Sequence, residues 1–127
     1  MTHVILVVED NERNLKLLRD VLEYAGYDVR TARTAEDGIT MAASELPDLV
    51  LMDLQLPGID GMEALRRLRA SPLTAGIPVV AVTAQAMKND RERALEGGFD
   101  GYLEKPISVR AFPDQVRRFL PDEVATE

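Results

Sequence analysis

Three short apolar runs constrain the fold of this chain more than any other feature of its sequence. The first is Val4–Val8, the second is Leu49–Met52, and the third is Pro78–Val82. None of them alternates with polar residues, so each is typical of a strand buried on both faces, as in the middle of a parallel sheet. The sequence therefore predicts a sheet with other elements packed against both of its faces.

Segments with helical periodicity follow the early strands. After the first run, leucines recur at helical intervals, with Asp10 or Asn11 as a possible N-cap and Gly26 as a possible end of the helix. Residues Asp28–Ala32 alternate between polar and apolar, as an edge strand does. A capping box then predicts a second helix over residues 34–46.

Three further helices are predicted in the second half of the chain. The fourth runs from about residue 86 to residue 96, and its thin apolar stripe indicates weak packing. A short strand over residues 101–103 precedes the fifth helix, in which Ser108 is the predicted N-cap and Pro113 should distort the first turn. The third helix has apolar positions at Met62, Leu65 and Leu68 and an arginine cluster facing water at Arg66, Arg67 and Arg69. The fifth helix has its apolar positions at Val109, Phe112, Val116 and Phe119.

Together these patterns give five strand–helix pairs joined by short connections. Such alternation predicts an α/β domain in which a parallel five-stranded sheet is covered by helices on both faces, with right-handed crossovers. The strand order 2-1-3-4-5 is one of the two common arrangements of this doubly wound class. In that order, the crevice at the switch point opens between the carboxyl ends of strands 1 and 3.

Length and charge limit the classes of function. With 127 residues, 46% of them hydrophobic, the chain is expected to form one domain over residues 1–127, with a core at about 3–120 and a short acidic tail. Its net charge of −7 argues against direct binding to nucleic acid. The absence of cysteine excludes disulfides and thiolate metal sites and fits a cytoplasmic protein. No apolar run approaches the roughly 18 residues that a membrane span requires, so no membrane insertion is expected.

Carboxylates follow the first and third strands at the point where each strand ends. Asp53 comes directly after the third strand, and Glu9 and Asp10 follow the first. Converging carboxylates repel one another unless a cation lies between them, and an all-oxygen site open to water suits Mg²⁺. We expect Asp10, Asp53 and the backbone carbonyl of Gln55 to bind the metal directly and Glu9 to help through a water. The alternative is that Asp10 and Asp53 are only helix N-caps and that the chain is a structural αβ adaptor.

Three more residues have candidate roles at or beside this crevice. Lys105 lies just before a helix amino terminus, where the helix dipole disfavours a positive charge, so an anionic partner is expected. Its ammonium could pair with Asp53 at rest and with a bound phosphoryl group later. Thr83 ends the fourth strand and either caps the next helix or donates its hydroxyl to a phosphoryl oxygen. Tyr102, on the neighbouring strand, is either core packing or a ring that moves as Thr83 shifts.

Four blocks of the sequence resemble the signature blocks of response regulator receiver domains. They are Val7–Asn11, Leu51–Gly61, Val80–Ala84 and Tyr102–Pro106, and the resemblance spans residues 3–120. It implies a flavodoxin-like fold. It also implies a phosphoacceptor switch that catalyses only its own phosphorylation and dephosphorylation. The residues in these blocks are most similar to those of stand-alone regulators of bacterial cell division and polarity.

The resemblance also implies roles for single residues. Asp53 would accept a phosphoryl group from the phosphohistidine of a histidine kinase or a phosphotransfer protein. Glu9 and Asp10 would hold Mg²⁺, while Thr83 and Lys105 would contact the phosphoryl group.

For the output, the resemblance implies that Tyr102 reports the switch together with Thr83 and that the peptide bond before Pro106 is cis. A downstream protein effector would bind the face formed by the fourth helix, fifth strand and fifth helix. Gln55 and Gln85, two residues beyond Asp53 and Thr83, could orient or block a hydrolytic water.

Two other classes share parts of this pattern. A haloacid-dehalogenase-type phosphatase also places an aspartate after a buried strand, but it requires a second acid two positions later, where this chain has Gln55. A flavodoxin-type electron carrier shares the sheet, yet Glu9 and Asp10 would repel a flavin phosphate.

Overall fold

The computed structural model describes residues 2–84 and 90–120, and for Asp90 the backbone only. Within these residues, strands and helices alternate strictly along the chain. The strands are β1 (Val4–Val8), β2 (Asp28–Ala32), β3 (Leu49–Met52), β4 (Val79–Thr83) and β5 (Gly101–Glu104). The helices are α1 (Glu12–Tyr24), α2 (Ala35–Glu45), α3 (Gly61–Ala70), α4 (Asp90–Glu96) and α5 (Phe112–Arg117).

The five strands form one sheet in the order β2-β1-β3-β4-β5, and every neighbouring pair is parallel. This confirms the predicted α/β fold and its strand order. The central strands are apolar throughout because each of their faces is covered: every residue of β3 and β4 is buried. The alternating strand β2 lies at an edge of the sheet, where one side of the strand meets water.

Two hydrophobic cores lie on opposite faces of the sheet. Successive residues of β1 point to opposite faces, so Leu6 and Val8 enter one core while Ile5 and Val7 enter the other. The first core packs against α2, α3 and α4, and the second packs against α1 and α5. Because the helices cover the two faces, the residues that follow the carboxyl ends of the strands lie along one edge of the sheet.

Polar side chains cap three of the helices. Asn11 caps α1, and its side chain accepts a hydrogen bond from the Asn14 amide at 3.0 Å. Thr34 caps α2, as predicted, and Asp60 caps α3. Since the caps of α1 and α3 are Asn11 and Asp60, neither Asp10 nor Asp53 serves as a helix cap.

The fifth helix begins later than its sequence pattern predicts. Its first residue is Phe112, whereas Ser108 was the expected N-cap and Val109 an expected core residue. Ser108 instead accepts a hydrogen bond from the Ala111 amide within a turn, and Val109 is 58% exposed. The reason is Pro113, which has no N–H to donate and therefore fits only the first turn of a helix.

The arginine cluster of α3 is divided rather than uniformly exposed. Arg66 and Arg67 face water and pair with Glu63, as a solvated helix face should. The expectation is wrong for Arg69, which is largely covered. Its guanidinium donates to the Ile77 carbonyl at 2.6 Å and to the Asp100 carboxylate at 2.7 Å. Its role is to tie α3 to the loop before β4 and to the turn before β5. Met62, expected on the apolar stripe, is 38% exposed.

Three expectations lie wholly or partly outside the described residues, and one of them is the short acidic tail after residue 120. The predicted start of the fourth helix near Ala86 falls within residues 85–89, and so does Gln85. The last part of that helix is present as α4, and Gly98 follows it with φ 113°, a backbone conformation that favours glycine. No helix within residues 2–84 and 90–120 is long and apolar enough to cross a membrane.

Candidate functional site

The site lies where β1 and β3 end, at the predicted switch point of the sheet. Backbone hydrogen bonds hold both strand ends: the Glu9 amide donates to Ala32 at 3.0 Å, and the Asp53 amide donates to Val8 at 3.1 Å. Because β1 and β3 are adjacent and parallel, the residues after them emerge side by side. The sheet register therefore brings acids from two distant parts of the sequence to one place.

Three carboxylates meet there. Glu9, Asp10 and Asp53 each offer an oxygen, and these oxygens all lie within 4.8 Å of one another. Glu9 and Asp53 are buried, with 2% and 6% of their surface exposed, while Asp10 is exposed. Like charges this close raise the free energy of the ionised state unless a cation compensates them.

Lys105 brings a positive charge to this cluster from the end of β5. Its backbone amide donates to the Thr83 carbonyl at 2.9 Å, which continues the β4–β5 register by one residue. Its ammonium lies 3.0 Å from the Asp53 Oδ2 atom and forms a second, short hydrogen bond to the Glu9 Oε1 atom. The next peptide bond, Lys105-Pro106, is cis.

The pairing of Lys105 with Glu9 was not foreseen from the sequence. The sequence analysis paired the ammonium with Asp53 alone and assigned Glu9 to the metal. A signal was present in the residue type, since glutamate carries one more methylene than aspartate and reaches further from the end of β1. The direction of that reach depends on where β5 lies, which only the assembled sheet determines.

The environment shifts the pKa values of this buried pair. Burial raises the pKa of Glu9 above its ordinary value, and the hydrogen bonds from Lys105 and from the Asn11 amide only partly offset that effect. For Lys105, burial alone would lower the pKa, but the hydrogen bonds to Glu9 and Asp53 outweigh it and raise the pKa above its ordinary value. Lys105 is therefore firmly cationic at neutral pH.

The remaining predicted site residues surround this centre. The Gln55 amide donates to the Asp53 Oδ1 atom at 2.9 Å, which fixes the carboxylate, while the Gln55 side chain is exposed. Thr83 is buried at the end of β4. Tyr102 is buried on β5 opposite Ala81 and belongs to the core beneath α4.

The donor set of the cluster fits a hard divalent cation. All three side chains offer carboxylate oxygens, and one of them, Asp10, is open to water. Mg²⁺ prefers oxygen ligands and retains several waters, so a partly exposed group of this kind suits it. With Lys105 included, the four side chains carry a formal charge of −2, which one Mg²⁺ would balance.

A small apolar cavity of about 50 Å³ borders the site beside Lys105. It lies between α1 and the segment that follows β5. Its apolar wall comes from Leu17, Leu18, Pro106 and Ile107, and Asn14 completes the rim. An apolar surface is therefore accessible next to the acidic crevice.

The sequence of this chain is similar to known proteins of one family. Residues 5–117 match the family model of the response regulator receiver domain. The chain is 43% identical over 122 residues to the polar-differentiation response regulator DivK of Brucella ovis, a match that covers 96% of this chain and 99% of DivK.

Two solved structures are similar in fold and sequence. One is the receiver domain of the sensor histidine kinase PA1611 from Pseudomonas aeruginosa PAO1, with a magnesium ion coordinated in its active site cleft. It has a TM-score of 0.85 at 33% identity over 94% of this chain and 98% of that one. The other is a CheY-like response regulator receiver domain protein from Methanospirillum hungatei JF-1, with a TM-score of 0.84 at 30% identity over 93% of each chain.

The sheet order and the acidic site with its lysine define a signalling domain of the phosphoacceptor class. The chain belongs to the response regulator receiver domain family. Within that family it is DivK-like over nearly its whole length. This membership sets aside the phosphatase and flavodoxin interpretations.

Proposed function

We propose that this chain is a stand-alone response regulator that receives a phosphoryl group on Asp53 in a Mg²⁺-dependent reaction. The observation that carries the proposal is the arrangement around Asp53: two further carboxylates have oxygens within 4.8 Å, and the Lys105 ammonium lies at 3.0 Å. The similarity to DivK, 99% of whose length this chain covers, supports a single receiver domain over residues 1–127.

The donor set supports the proposed metal ligands. Asp10 and Asp53 would hold Mg²⁺ together with the backbone carbonyl of Gln55, and Glu9 would contribute through a water. When bound, the ion supplies positive charge that stabilises the oxygens of the transferring phosphoryl group. The exposed position of Asp10 leaves a route by which a hydrated ion could enter.

The side chains of the site suit phosphoryl transfer from a phosphohistidine. An Asp53 carboxylate oxygen attacks the phosphorus, a P–O bond forms, and the P–N bond breaks with its electron pair returning to the imidazole nitrogen. The Gln55 amide holds the other Asp53 oxygen, which orients the carboxylate for in-line attack. Lys105 would then pair with a phosphoryl oxygen, and Thr83 would donate its hydroxyl to another.

The donor would be a histidine kinase or a phosphotransfer protein in the cytoplasm, where ATP supplies the phosphoryl group. The apolar cavity beside Lys105 would help to dock the donor, because exposed Leu17 and partly buried Ile107 line it next to the crevice. This cavity offers contacts that bring a donor histidine to Asp53 without burying the charged groups.

The output would be a change in a protein-binding face made by α4, β5 and α5. Thr83 and Tyr102 lie on the adjacent strands β4 and β5, so a shift of Thr83 toward a phosphoryl group would loosen the packing of the tyrosine ring. A downstream protein effector would read this face. The likeness to DivK, a polar-differentiation response regulator, supports a role in cell-cycle or polarity signalling.

The glutamines after Asp53 and Thr83 would set the lifetime of the phosphorylated form. The Gln55 side chain is exposed beside Asp53, where it can orient or block a water, and Gln85 is proposed from its position in the sequence alone. We expect Gln55→Ala and Gln85→Ala to decay at rates different from that of the parent, measured by loss of the phosphoryl mass. Identical decay in all three proteins would remove this role.

Intact mass after incubation with Mg²⁺ and acetyl phosphate tests the main proposal. The parent should gain one phosphoryl group, and neither Asp53→Asn nor the parent in chelator should gain it. Asp114→Asn is the matched control, because it makes the same change at an exposed aspartate of α5 that is not part of the acidic cluster. If the parent gains no mass from acetyl phosphate or from a cognate kinase, the adaptor interpretation replaces the switch.

A further inference from the structure

The packed part of α4 is its C-terminal end. Of residues 91–98, only Ala94 is buried. The helix ends in a Schellman motif, in which the Phe99 amide donates to the Ala94 carbonyl at 3.1 Å. The second bond of the motif joins the Gly98 amide to the Leu95 carbonyl, also at 3.1 Å. Because Phe99 is buried in the same core as Ala94, the last turn of α4 is both closed by hydrogen bonds and held by packing.

Arg69 of α3 holds the segment that follows α4. One guanidinium nitrogen, Nη2, donates to the Gly98 carbonyl at 3.4 Å and to the Asp100 carboxylate at 2.7 Å. The other, Nη1, donates to two carbonyls of the loop before β4, those of Ala75 at 3.1 Å and Ile77 at 2.6 Å. The guanidinium therefore joins the end of α4 to α3 and to the sheet.

Asp100 connects this attachment to β4. The Asp100 Oδ2 atom, which pairs with Arg69, also accepts from the Val79 amide at 2.8 Å. In return, the Asp100 amide donates to the Val79 carbonyl at 2.8 Å. Val79 is the first residue of β4 and is fully buried, so the sheet fixes its position. The pair formed by Arg69 and Asp100 thus rests on the start of a central strand.

Two glycines bring the end of α4 into direct contact with α3. A Cβ atom at Gly97 would overlap the terminal methyl group of Met62, and a Cβ atom at Gly98 would lie 3.5 Å from Leu65. Gly98 also has φ 113°, a backbone conformation that residues with a side chain rarely adopt. The backbone at the end of α4 therefore meets the side chains of α3 with no side chain of its own between them.

We propose that Arg69 anchors the C-terminal end of α4, so that phosphorylation turns this helix about residues 97–100 and leaves them in place. The inference rests on the proposed function, because it assigns a motion to the output face. Thr83 lies at the carboxyl end of β4, about 13 Å along the strand from Val79, so a change at Thr83 acts far from the anchored end. The seven residues of α4 span about 9 Å, so a turn of about 20° moves the first of them by about 3 Å.

Distances between spin labels test the turning of α4. The chain has no cysteine, so pairs of introduced cysteines carry the labels at chosen positions. Reference labels replace Tyr24 and Leu46, which are 96% and 54% exposed, and the second label replaces Arg91 or Glu96, both exposed on α4. With Mg²⁺ and acetyl phosphate, we expect position 91 to move by about 3 Å from at least one reference and position 96 by less than about 1 Å. Equal movement of the two positions, or no movement in protein that has gained the phosphoryl mass, would overturn the proposal.

Removal of the guanidinium should release the anchored end. In Arg69→Met we expect position 96 to move as far as position 91 on phosphorylation, whereas Arg66→Met should behave as the parent. Arg66 is the matched control, because it lies on the same helix and pairs with Glu63 on the solvent-facing side. If Arg69→Met does not fold, Arg69→Lys decides, since one ammonium lacks the fork that reaches acceptors on both sides. A position 96 that stays fixed in the folded variant would show that Arg69 is not the anchor.

Amide hydrogen exchange in chelator tests the anchor without a phosphoryl group. The amides of Gly98, Phe99 and Asp100 are hydrogen-bonded in the parent. Relative to the amides of β3, we expect them to exchange at least about tenfold faster in Arg69→Met and to be unchanged in Arg66→Met. An equal acceleration in β3 would mean a general loss of stability and would refute the anchor. If the parent gains no phosphoryl mass while the local change is seen, the proposed function fails together with the turning of α4, and the anchor stands.

Discussion

Replacement of Asp53 by asparagine should make the metal-free protein more stable, although it abolishes phosphorylation. The charge of Asp53 is attracted by Lys105 at 3.0 Å and repelled by Glu9 and Asp10, whose oxygens lie within 4.8 Å. With an effective dielectric constant of about 20, the attraction is worth about 5.5 kcal/mol and each repulsion about 3.5 kcal/mol. Water screens the contribution of exposed Asp10, so these terms nearly cancel.

Desolvation of the Asp53 carboxylate then decides whether Asp53→Asn raises or lowers the stability. The Asp53 side chain is only 8% exposed, and a buried carboxylate loses hydration that an amide needs less. The asparagine oxygen can still accept from the Gln55 amide, and Lys105 keeps Glu9 as its partner. We therefore expect Asp53→Asn to raise the free energy of unfolding by about 1 kcal/mol in chelator, or the melting temperature by about 4 °C.

The response to Mg²⁺ should change in the opposite direction. At ten times its dissociation constant, Mg²⁺ should stabilise the parent by about 1.4 kcal/mol, and a tenfold loss of affinity in Asp53→Asn would reduce this to about 0.4 kcal/mol. Urea unfolding with chelator and with Mg²⁺ measures both effects. Asp114→Asn, 71% exposed, controls for the change in net charge.

Two results would refute this reasoning. If Asp53→Asn loses stability in chelator relative to Asp114→Asn, the attraction to Lys105 dominates and the repulsion has been overestimated. If Asp53→Asn gains as much from Mg²⁺ as the parent does, the ion does not bind at this carboxylate.

Three further predictions concern the scaffold of the site. Two arginines lower the pKa of Glu63 to about 2, so its contribution to stability is present above pH 4.5 and is lost as the pH falls toward 2. Glu63→Gln should therefore have a lower urea midpoint than the parent near neutral pH, and the two midpoints should converge in acid. Arg69→Met should lower the free energy of unfolding by about 1–2 kcal/mol, because the bonds to Asp100 and to three backbone carbonyls are lost. An unchanged urea midpoint would contradict the role of Arg69 in tying α3 to the loop before β4 and the turn before β5. Gly61→Ala places a methyl group 2.9 Å from the backbone of the loop after β3 and should lower the free energy of unfolding by about 2 kcal/mol, measured by thermal unfolding. Gly76→Ala is its control: Gly76 has open space around it, so this variant should stay within about 0.5 kcal/mol of the parent.

The predicted strands and helices show how much of the fold follows from local patterns of apolar residues. Continuous apolar runs predict the three central strands, period-two spacing predicts the edge strand β2, and period-3.6 spacing predicts the cores of the helices, because these patterns follow from backbone geometry and burial. The same reasoning explains the error at the start of α5. There, Val109 continues the helical spacing and made the predicted helix begin too early. The sequence analysis did expect Pro113 to distort the first turn, but the apolar spacing does not show that the helix then begins only at Phe112.

Arg69 shows where local patterns fail. Its position on α3 relative to Arg66 and Arg67 suggests a solvated residue, yet the loop before β4 and the turn before β5 cover it in the folded chain. The carbonyl and carboxylate that it binds lie 8 and 31 residues away along the chain. Helical periodicity carries no information about such partners.

The sequence by itself determined the class of fold and the convergence of Glu9, Asp10 and Asp53, because parallel strands that alternate with helices must bring their carboxyl ends to one edge of the sheet. Only the tertiary structure decided how the charges pair. Lys105 is 52 residues from Asp53 and 96 from Glu9, and its contact with both depends on the β4–β5 register and on side-chain reach within a buried crevice. Energies of this kind depend on distances of a few ångströms and on burial, and both are properties of the packed chain rather than of any one segment.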